Sequence, residues 1–495
     1  MDVDTDVAHY PNLGSGGMGV AVSNWKLART VSKLGQIGIT SGTALPVMLA
    51  RRLQDGDPGG HMRHALDNFP FPNVAERILD KYFIDGGRKS GQPYKLTPMP
   101  CINNGRDFNE LCVASNFSEV FLAKEGHDGI VGINYLEKIQ FPHLASIYGA
   151  MLANVNAVFV GAGLATSVPD ALEALVNHRP ARYPIDVIGA SAGTYSMTFD
   201  PSIFISEGGN VSNNLILPAF IPIVGSHVAA QYLFRATKSI VGESRIKING
   251  LYVERDPSGG HNPNPRKPIG YTESRGEPIY IDIDQVNFDK MRELVGKWHI
   301  PFWLAGGYGD REGFLAAKKE GAKGIFAGTA FALSVDSGLD PESRRELVRA
   351  ALEGRADVFN DPDASPAGFP FRVVSLENSL SDPKVFGRRK KVCDLGYLRH
   401  AYRKSDGTVG YRCPAEPVED YLRKGGTIEE TRGKKCICNG LAGSAGVPQL
   451  LPDGSYERPI FTLGRDYPKV VKFCKGGKSD YTAARVINVI LGQES

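Results

Sequence analysis

The sequence predicts an α/β protein built on a (β/α)8 (TIM) barrel, with an insertion after the second strand and a C-terminal extension. Two observations predict the barrel: short apolar runs alternate with amphipathic stretches as far as Arg372, and the later runs end in glycines. Such alternation is typical of a parallel sheet covered by helices. The alternation is interrupted over residues 46–111 and stops after Arg372, which sets the limits of the insertion and the extension.

Eight strand-like runs make up the predicted barrel. Each is short and apolar, as expected of strands that are buried on both faces. They begin near Pro11, Gln36, Val131, Ala157, Ile221, Leu251, Phe302 and Ile325. Two further candidate strands, at residues 112–117 and 185–189, would raise the number to ten, so the eight-stranded closure is the interpretation that we adopt.

Helix-like stretches follow most of these runs. Their apolar residues recur with the spacing of helices that cover a sheet on one face. The predicted helices span residues 24–34, 143–153, 168–176, 227–237, 283–297, 311–321 and 341–352.

The remaining segments define the domain organisation. Residues 46–111 are rich in proline, glycine and charge, and we predict a lid-like insertion in a barrel that spans residues 1–372. Residues 373–495 form a cysteine-containing extension of about the size of a small domain. The sequence leaves open whether this extension folds alone or wraps the barrel.

Composition limits the partners of this chain. Its 57 Lys and Arg residues stand against 54 Asp and Glu, a net charge of +3, so we expect neither nucleic acid nor a membrane as a partner. No apolar run approaches the roughly 20 residues that span a bilayer. The start of the chain, MDVDTDVAHYPN, is acidic rather than signal-like. These features predict a cytoplasmic protein.

Seven cysteines, an odd number spread over a long chain, do not form a secreted disulfide framework. Cys393, Cys413, Cys436 and Cys438 lie in the extension and could in principle bind zinc or a cluster. However, the Cys-x-Cys pair is tighter than a zinc knuckle, and there is no second close pair. We therefore predict reduced structural thiols and no metal, with a redox or substrate-facing thiol as the alternative.

Three glycine-bearing segments, GLYVERDPSGGH (250–261), PFWLAGGYGD (301–310) and GIFAGTAF (324–331), follow one another along the chain. Glycines after a strand let backbone N–H groups approach an anion, and a following helix adds its positive end. The loops after the seventh and eighth strands of such barrels commonly bind phosphate. Although glycine after a strand is usually only turn chemistry, the shared order favours a phosphate cradle, formed by Gly306, Gly307, Gly328 and Thr329.

One strand earlier, His261 stands at the same predicted rim. A single histidine is usually structural or solvated. Beside a phosphate-bearing cofactor, however, a titratable imidazole is a plausible base. We therefore predict that His261 is catalytic.

Two other motifs admit different functions. Gly14, Gly16 and Gly19 form a GxGxxG frame, which is typical of dinucleotide-binding folds. However, residues 9–13 make a poor strand, and no acidic residue follows at the spacing of such a fold. We therefore favour the interpretation that these glycines allow a flat ring to approach the end of the first strand. Ser191 lies in GASAG, which matches the G-x-S-x-G frame of acyl hydrolases, although a poor helix follows. Acyl hydrolysis stays an alternative.

These segments resemble the nitronate monooxygenase (2-nitropropane dioxygenase-like) family and related FMN-dependent enoyl reductases. GGMGVAVSNWKLARTVSKLGQIGITSG is similar to the family's first strand, first helix and second strand, and FVGAGL, SGGH, FWLAGG and GIFAGT follow in the family's order. The likeness spans residues 14–331. With CDLGYL and CICNGL in its C-terminal part, the whole chain resembles a long bacterial-type subgroup.

The resemblance implies a TIM barrel with FMN over its C-terminal rim. Met18 and Gly19 match residues under the isoalloxazine ring, and Asn134 matches an asparagine that meets the flavin. Ser15 stands where family members commonly have glutamine. His261 matches the histidine that acts on the substrate. The other expected cofactor-binding residues are Gly161, Ala162, Gly163, Gly259, Gly260, Ala305, Gly306, Gly307, Ala327, Gly328 and Thr329.

The function implied by the resemblance is FMN-dependent oxidative denitrification of an alkyl nitronate, or a similar small anionic substrate, by a monooxygenase that uses O2. One alternative is an NAD(P)H-dependent enoyl-thioester reductase with the same barrel. A second is a non-catalytic flavin-binding or scaffold protein. The expected partners are a small-molecule substrate and O2, and a homodimer is an assembly open to this chain.

Overall fold

Eight parallel strands form a barrel in the computed structural model, which describes residues 6–237 and 248–493. The first five residues of the predicted barrel and the last two of the predicted extension therefore lie outside the described residues. The barrel strands are β1 Leu13–Ser15, β2 Gly38–Ser41, β3 Val131–Leu136, β4 Ala157–Gly161, β5 Ala219–Val224, β6 Leu251–Glu254, β7 Phe302–Ala305 and β8 Gly324–Ala327. The predicted fold class is confirmed, and all eight predicted strands are present within a few residues of their expected positions.

The ring closes between β1 and β2. Every other pair of neighbours is joined by a regular parallel ladder, in the order β1-β8-β7-β6-β5-β4-β3-β2. At the closure, the backbone N–H of Ser15 donates to Ile37 O (2.9 Å), and the N–H of Ile37 donates to Leu13 O (3.0 Å). The Ser15 hydroxyl also accepts from the N–H of Ile39 (3.0 Å). The Ser15 side chain thus adds one hydrogen bond to β2 beyond the backbone pairing that a strand of only three residues provides.

The barrel interior is filled by large aromatic side chains, among them residues of β4, β6, β7 and β8. Tyr252 and Phe326 stack with their ring centroids 4.4 Å apart, and Phe159 meets Phe326 edge-on at 5.4 Å. Trp303 is fully buried and donates its indole N–H to Pro11 O (3.0 Å). Because large rings fill the lower part of the barrel, space for a ligand is left at the C-terminal rim.

Helices surround the barrel on its outside. The α-helices span Trp25–Lys33, Leu45–Gln54, His61–Asp67, Pro72–Tyr82, Arg106–Lys124, His143–Leu152, Val168–Val176, Ser202–Ile205, His227–Ala236, Phe288–Trp298, Arg311–Lys319, Thr329–Ala332, Pro341–Leu352, Pro383–Arg388, Val418–Arg423, Ile437–Ser444 and Ala483–Leu491. All seven predicted helices are present. The fifth begins later than predicted, because the side chain of Asn287 caps its first turn by accepting from the N–H of Lys290. Among the described residues, the helices are too short or too polar to cross a membrane.

The two extra candidate strands do not enter the barrel. Residues 112–117 lie within the helix Arg106–Lys124, so this strand prediction was wrong. Almost every side chain between Phe108 and Ala123 is buried, and a helix buried all round shows no polar face that would reveal its period. Residues 185–189 include a short strand, Val187–Ile188, which pairs with His400–Arg403 outside the barrel.

The insertion is a set of helices packed beside the barrel. The helix Leu45–Gln54 packs against Arg106–Lys124, which in turn packs against His143–Leu152. Buried Glu119 links these layers by accepting from the N–H of Trp25 and from the guanidinium of Arg52, both at 2.7 Å. The apolar residues of the insertion therefore belong to the same hydrophobic core that lies between the barrel strands and the helices around them.

The C-terminal extension wraps the barrel. Its last helix, Ala483–Leu491, packs against Trp25–Lys33 and Arg311–Lys319. The hydroxyl of Tyr467 donates to Leu347 O (2.7 Å), and residues from 461 to 490 belong to the same apolar core as the barrel helices. The described part of the extension thus contributes its apolar residues to the core of the barrel.

Outside the barrel, the described residues include three small sheets. One contains Gly260–His261, Val358–Asp361 and Phe371–Val374, and a second contains Val187–Ile188, His400–Arg403 and Val409–Arg412. The third pairs Ala181–Ile185 with Tyr195–Phe199. The first of these sheets contains His261, which pairs with Phe371 just before the extension begins.

Candidate active site

A large cavity opens at the C-terminal ends of the barrel strands. It encloses about 1600 Å³ of space, including the part that is open to solvent. The ends of β1 and of β3 to β8 form one side, and residues of the C-terminal extension form the other. Within the described residues, none from 46–111 lines this cavity. The covering position that was predicted for the insertion is therefore held by the extension.

Fourteen of the fifteen predicted site residues line this single cavity. They are Met18, Gly19, Asn134, Gly161, Ala162, Gly259, Gly260, His261, Ala305, Gly306, Gly307, Ala327, Gly328 and Thr329. The exception is Gly163, where an added Cβ would lie 2.6 Å from the Cβ and Cγ atoms of Glu137. Glycine is needed at position 163 so that the turn can pack against Glu137, outside the cavity lining.

The loop after β1 and the end of β3 form one wall. Asn134 donates its Nδ2–H to Gly17 O (2.8 Å), and a Cβ on Gly17 would lie 2.2 Å from the Cβ of Asn134. The buried Oδ1 of Asn134 has no hydrogen-bond partner among the described residues. An unsatisfied buried acceptor that lines a cavity fits a ligand N–H group.

The turn after β7 brings backbone close to the ligand space. Gly306 and Gly307 have φ values of +84° and +83°, which favour glycine, and a Cβ on Gly306 would lie 2.8 Å from both Arg255 O and Ser258 Oγ. In the part of the chain that the structure describes, neither Gly307 nor Gly328 donates its backbone N–H to another residue. These two N–H groups suit an anion.

The helix ends contribute less to this cradle than the sequence predicts. The helix after β8, Thr329–Ala332, has only four residues and therefore a small dipole. The helix after β7, Arg311–Lys319, is already capped by the carboxylate of Asp310, which accepts from the N–H of Gly313 (2.8 Å). Anion binding here depends mainly on the backbone N–H groups of the glycine turns.

A loop of the extension is bound to the same cradle. Thr329 Oγ1 donates to Asp466 Oδ1 (2.8 Å) and accepts from the N–H of Gly464 (2.9 Å). The N–H of Arg465 donates to Pro257 O (2.8 Å), and the N–H of Gly260 donates to the hydroxyl of Thr462. This loop could not be predicted from the sequence, because its segment FTLGRD shows no strand, helix or glycine-turn pattern.

His261 stands at the rim, in the small sheet, where it pairs with Phe371 in antiparallel register. Its ring meets that of Phe371 at 4.8 Å, and its Nε2 shares a hydrogen bond of 2.7 Å with Ser365 Oγ. Burial, and secondarily the charge of Lys138, lowers the pKa of His261 to about 4. The imidazole is therefore neutral at physiological pH and fixed in orientation, so it can accept a proton or donate one N–H bond.

Glu254, at the C-terminal end of β6, also lines the cavity and was missed by the sequence analysis. Burial raises the pKa of this carboxyl to about 7, partly offset by a hydrogen bond with Ser258. A group with a pKa near the working pH is well suited to proton transfer. Glu254 could have been predicted from the sequence, because it is an acidic residue at the C-terminal end of an apolar barrel strand, the end at which such barrels carry their active sites.

The four cysteines of the extension lie together. Cys393, Cys413, Cys436 and Cys438 line a second, small cavity, and Cys438 also lines the main one. Burial raises the pKa of Cys436 to about 12, so this thiol is protonated. All seven cysteines are free, and the described residues include no group of His, Cys, Asp and Glu side chains arranged to hold a metal ion. Cys438 is thus the thiol that faces the ligand space.

The alternative motifs are placed differently. Gly14 belongs to β1 of the barrel, so the GxGxxG frame does not open a dinucleotide-binding βαβ unit. Ser191 lies in an exposed turn before the strand Tyr195–Phe199. A nucleophile elbow needs a strand followed by a helix, and the segment after Ser191 does not provide one.

No protein-family model matches the chain, and no curated protein sequence matches it. Among solved structures it is similar to FabK from Thermotoga maritima, with 16% identity, 99% of this chain and 94% of that chain covered, and a TM-score of 0.46. It is also similar to nitroalkane oxidase from Streptomyces ansochromogenes, with 14% identity, coverages of 97% and 95%, and a TM-score of 0.42. The enoyl reductase domain of MlnA from the macrolactin biosynthesis cluster from Bacillus amyloliquefaciens has 13% identity, coverages of 74% and 64%, and a TM-score of 0.38. Similarities of this size leave the chemistry of the cavity to be inferred from its own residues.

Replacing Glu254 by Gln should change how stability depends on pH. Between about pH 5 and 7 the unfolded chain has released the Glu254 proton, while the folded chain retains it because its pKa is raised. Folded wild type should therefore lose up to about 1.4 kcal/mol of stability per pH unit across this window through Glu254. The Glu254→Gln variant does not have this loss, so its unfolding midpoint should rise relative to wild type from pH 5 to 7.

Thermal or urea unfolding at both pH values checks this expectation. Glu293→Gln, on an exposed position of the helix Phe288–Trp298, is the matched control and should follow wild type. A constant difference in midpoint between Glu254→Gln and wild type at both pH values would contradict a raised pKa at Glu254.

Proposed function

We propose that this chain is an FMN-dependent oxidoreductase of the nitronate monooxygenase type, which oxidises an alkyl nitronate or a similar small anionic substrate with O2. The proposal rests on one observation. The glycine turns after β1, β7 and β8, and the proton-transfer candidates His261 and Glu254, all line one cavity. The expected flavin-ring site, the anion site and the acid–base groups thus share one cavity, where strand-end turns and a few polar groups converge.

The residues of the cavity fit FMN. The N–H groups of Gly307 and Gly328 would hold the phosphate, and the unpaired Oδ1 of Asn134 would accept from an N–H of the flavin ring. Met18 and Gly19 would lie against the ring. When bound, FMN supplies the redox chemistry, because it accepts electrons from the substrate and passes them to O2.

The chain's own residues hold the substrate and move its proton. Neutral His261, fixed by Ser365, would take the α-proton of a nitroalkane or donate an N–H to a nitronate oxygen. Glu254 would serve as a second proton acceptor near neutral pH. Apolar residues of the extension, including Leu398 and Phe461, line the cavity and limit access of water. The products would be nitrite and a carbonyl compound.

The visible absorption spectrum of the purified chain, with the released chromophore identified by mass, tests the proposal. We expect flavin bands, the mass of FMN, and nitrite formation with O2 and a nitronate. A colourless protein that does not take up added FMN would contradict the proposal, whatever its activity.

A second candidate is an NAD(P)H-dependent enoyl-thioester reductase. The observation that favours it is the pKa of Glu254, raised to about 7 by burial, which leaves part of this carboxyl protonated at neutral pH and able to donate a proton to one carbon of the double bond while the other carbon receives a hydride. The two activities differ in what bleaches the flavin under anaerobic conditions. Bleaching by NADPH supports the reductase, and bleaching by a nitronate alone supports the oxidase.

Gly328→Ala should weaken FMN binding. The backbone at position 328 has φ −92°, which an alanine can adopt, and its Cβ would meet only Met18, at 3.7 Å or more. The variant should therefore fold normally, while its methyl group enters the cavity next to the Gly328 N–H that would hold the phosphate. We expect a loss of FMN affinity of about tenfold or more, which corresponds to about 1.4 kcal/mol, and a smaller loss for riboflavin.

Flavin fluorescence titration provides the measurement. Gly296→Ala, in the helix Phe288–Trp298 and with no atom within 4 Å of the added Cβ, is the control and should bind FMN as wild type does. Equal losses for FMN and riboflavin in Gly328→Ala would place the phosphate elsewhere.

His261→Ala should retain the flavin bands and lose turnover. The imidazole would act on the substrate proton, so we expect turnover to fall by about a hundredfold or more, the usual contribution of a general base. His9→Ala, at an exposed position, should keep wild-type turnover. Full turnover in a flavin-loaded His261→Ala variant would remove His261 from the mechanism.

A further inference from the structure

The carboxyl of Asp466 lies inside the anion cradle. Its Oδ1 accepts from the Thr329 hydroxyl at 2.8 Å, and its Oδ2 lies 2.7 Å from the position that a Cβ on Gly309 would occupy. Asp466, Thr329 and Gly309 all line the main cavity. The glycine at position 464 is also required, because a Cβ there would lie 2.6 Å from Asp466 Oδ1. The extension thus brings an acidic group to the place where the backbone suits an anion.

The charged groups around Asp466 do not neutralise it. Lys472 and Lys469 pair with Asp310 at 2.9 and 3.1 Å. Burial acts to raise the pKa of Asp310. Hydrogen bonds from Lys472, from the N–H of Gly313 and from Lys469 outweigh this effect and lower the pKa to about 2, so the carboxylate stays ionised. Burial raises the pKa of Asp466, with contributions from Thr329 and Lys469 that lower it and from Asp310 that raises it. Tyr481, which is also close, is buried and protonated.

We propose that Asp466 makes phosphate binding in this cradle proton-linked, so that a phosphate monoester such as FMN binds together with one proton taken up by the Asp466 carboxyl. This inference deepens the proposed function, on which it rests. Two like charges within hydrogen-bond distance strongly disfavour each other. A protonated Asp466, in contrast, can donate its O–H to a phosphate oxygen and contribute to the site.

The proposal assigns a direction to the pH dependence of binding. The phosphate of FMN is largely dianionic above about pH 7, since its second pKa is about 6. A loss of affinity between pH 7 and 9 that is present in wild type and absent in Asp466→Asn therefore reports on the carboxyl, whereas a loss that both proteins share reports on the phosphate. Wild-type affinity for FMN should fall by up to about tenfold per pH unit wherever one proton is taken up. Riboflavin has no phosphate, so its affinity should stay nearly constant over the same range.

Asp466→Asn removes the charge and keeps the shape of the side chain. At pH 9 this variant should bind FMN at least about tenfold more tightly than wild type. Its affinity should also be nearly independent of pH. Riboflavin affinity should be unchanged. Asp420→Asn, in the helix Val418–Arg423 of the same extension and outside the cavity lining, is the matched control and should show the wild-type pH slope.

Fluorescence titrations of FMN and riboflavin from pH 7 to 9 provide these affinities, and calorimetry in two buffers of different ionisation heat measures the proton uptake of wild type directly. An uptake near one proton with FMN, near zero with riboflavin and lost in Asp466→Asn supports the proposal, and an uptake near zero with FMN in wild type overturns it even if Asp466→Asn does not fold. Equal pH slopes for the two flavins, or weaker FMN binding by folded Asp466→Asn at every pH, would overturn it. If neither flavin binds wild type at any pH, the proposed function fails as well.

Discussion

The parallel pairing of β1 with β8 is the constraint on which the whole cavity depends. Leu13, Gly14 and Ser15 pair with Ile325, Phe326 and Ala327, and the N–H of Gly16 donates to Ala327 O (2.8 Å). Because β8 pairs with β1 on one side and with β7 on the other, the ends of these three strands are neighbours although β1 is distant from the other two in sequence. The loop after β1 then lies against the turn after β8, so that a Cβ on Gly16 would come within 3.1 Å of Gly328 Cα. Without this contact, the cavity wall formed by the loop after β1 and the anion cradle formed by the turns after β7 and β8 would not face the same space.

The second requirement is the packing of the extension onto that rim. Its residues between 397 and 466 supply the apolar wall, and the loop around Gly464 is bound to the turns after β6 and β8 by backbone and hydroxyl hydrogen bonds. Beside this loop, the short strand of His261 pairs with Phe371 and Arg372, and the N–H of neighbouring Gly260 donates to Thr462 of the extension. The position of His261 and the shape of the cavity therefore depend on segments that lie outside the eight-stranded ring.

Parts of this arrangement could be predicted from the sequence and parts could not. The eight strands are apolar runs that are buried on both faces and end in turn residues, and this local signal was sufficient for each of them. The helix Arg106–Lys124 was mistaken in part for a strand, because a helix buried on all sides has no polar face. Most candidate site residues follow from glycines at strand ends. Asp466 and Ser365 could not be found in this way, since their roles arise from contacts across more than a hundred residues of chain.

The long sequence separation within the cavity has a consequence for the order of events during synthesis. All eight barrel strands have left the ribosome once residue 327 has emerged, yet the loop that completes the anion cradle begins only at residue 462. A nascent chain of intermediate length exposes the apolar rim that Leu398, Ile437 and Phe461 later cover. Loading of any ligand at this rim is consequently a late step, which follows translation of the extension rather than folding of the barrel.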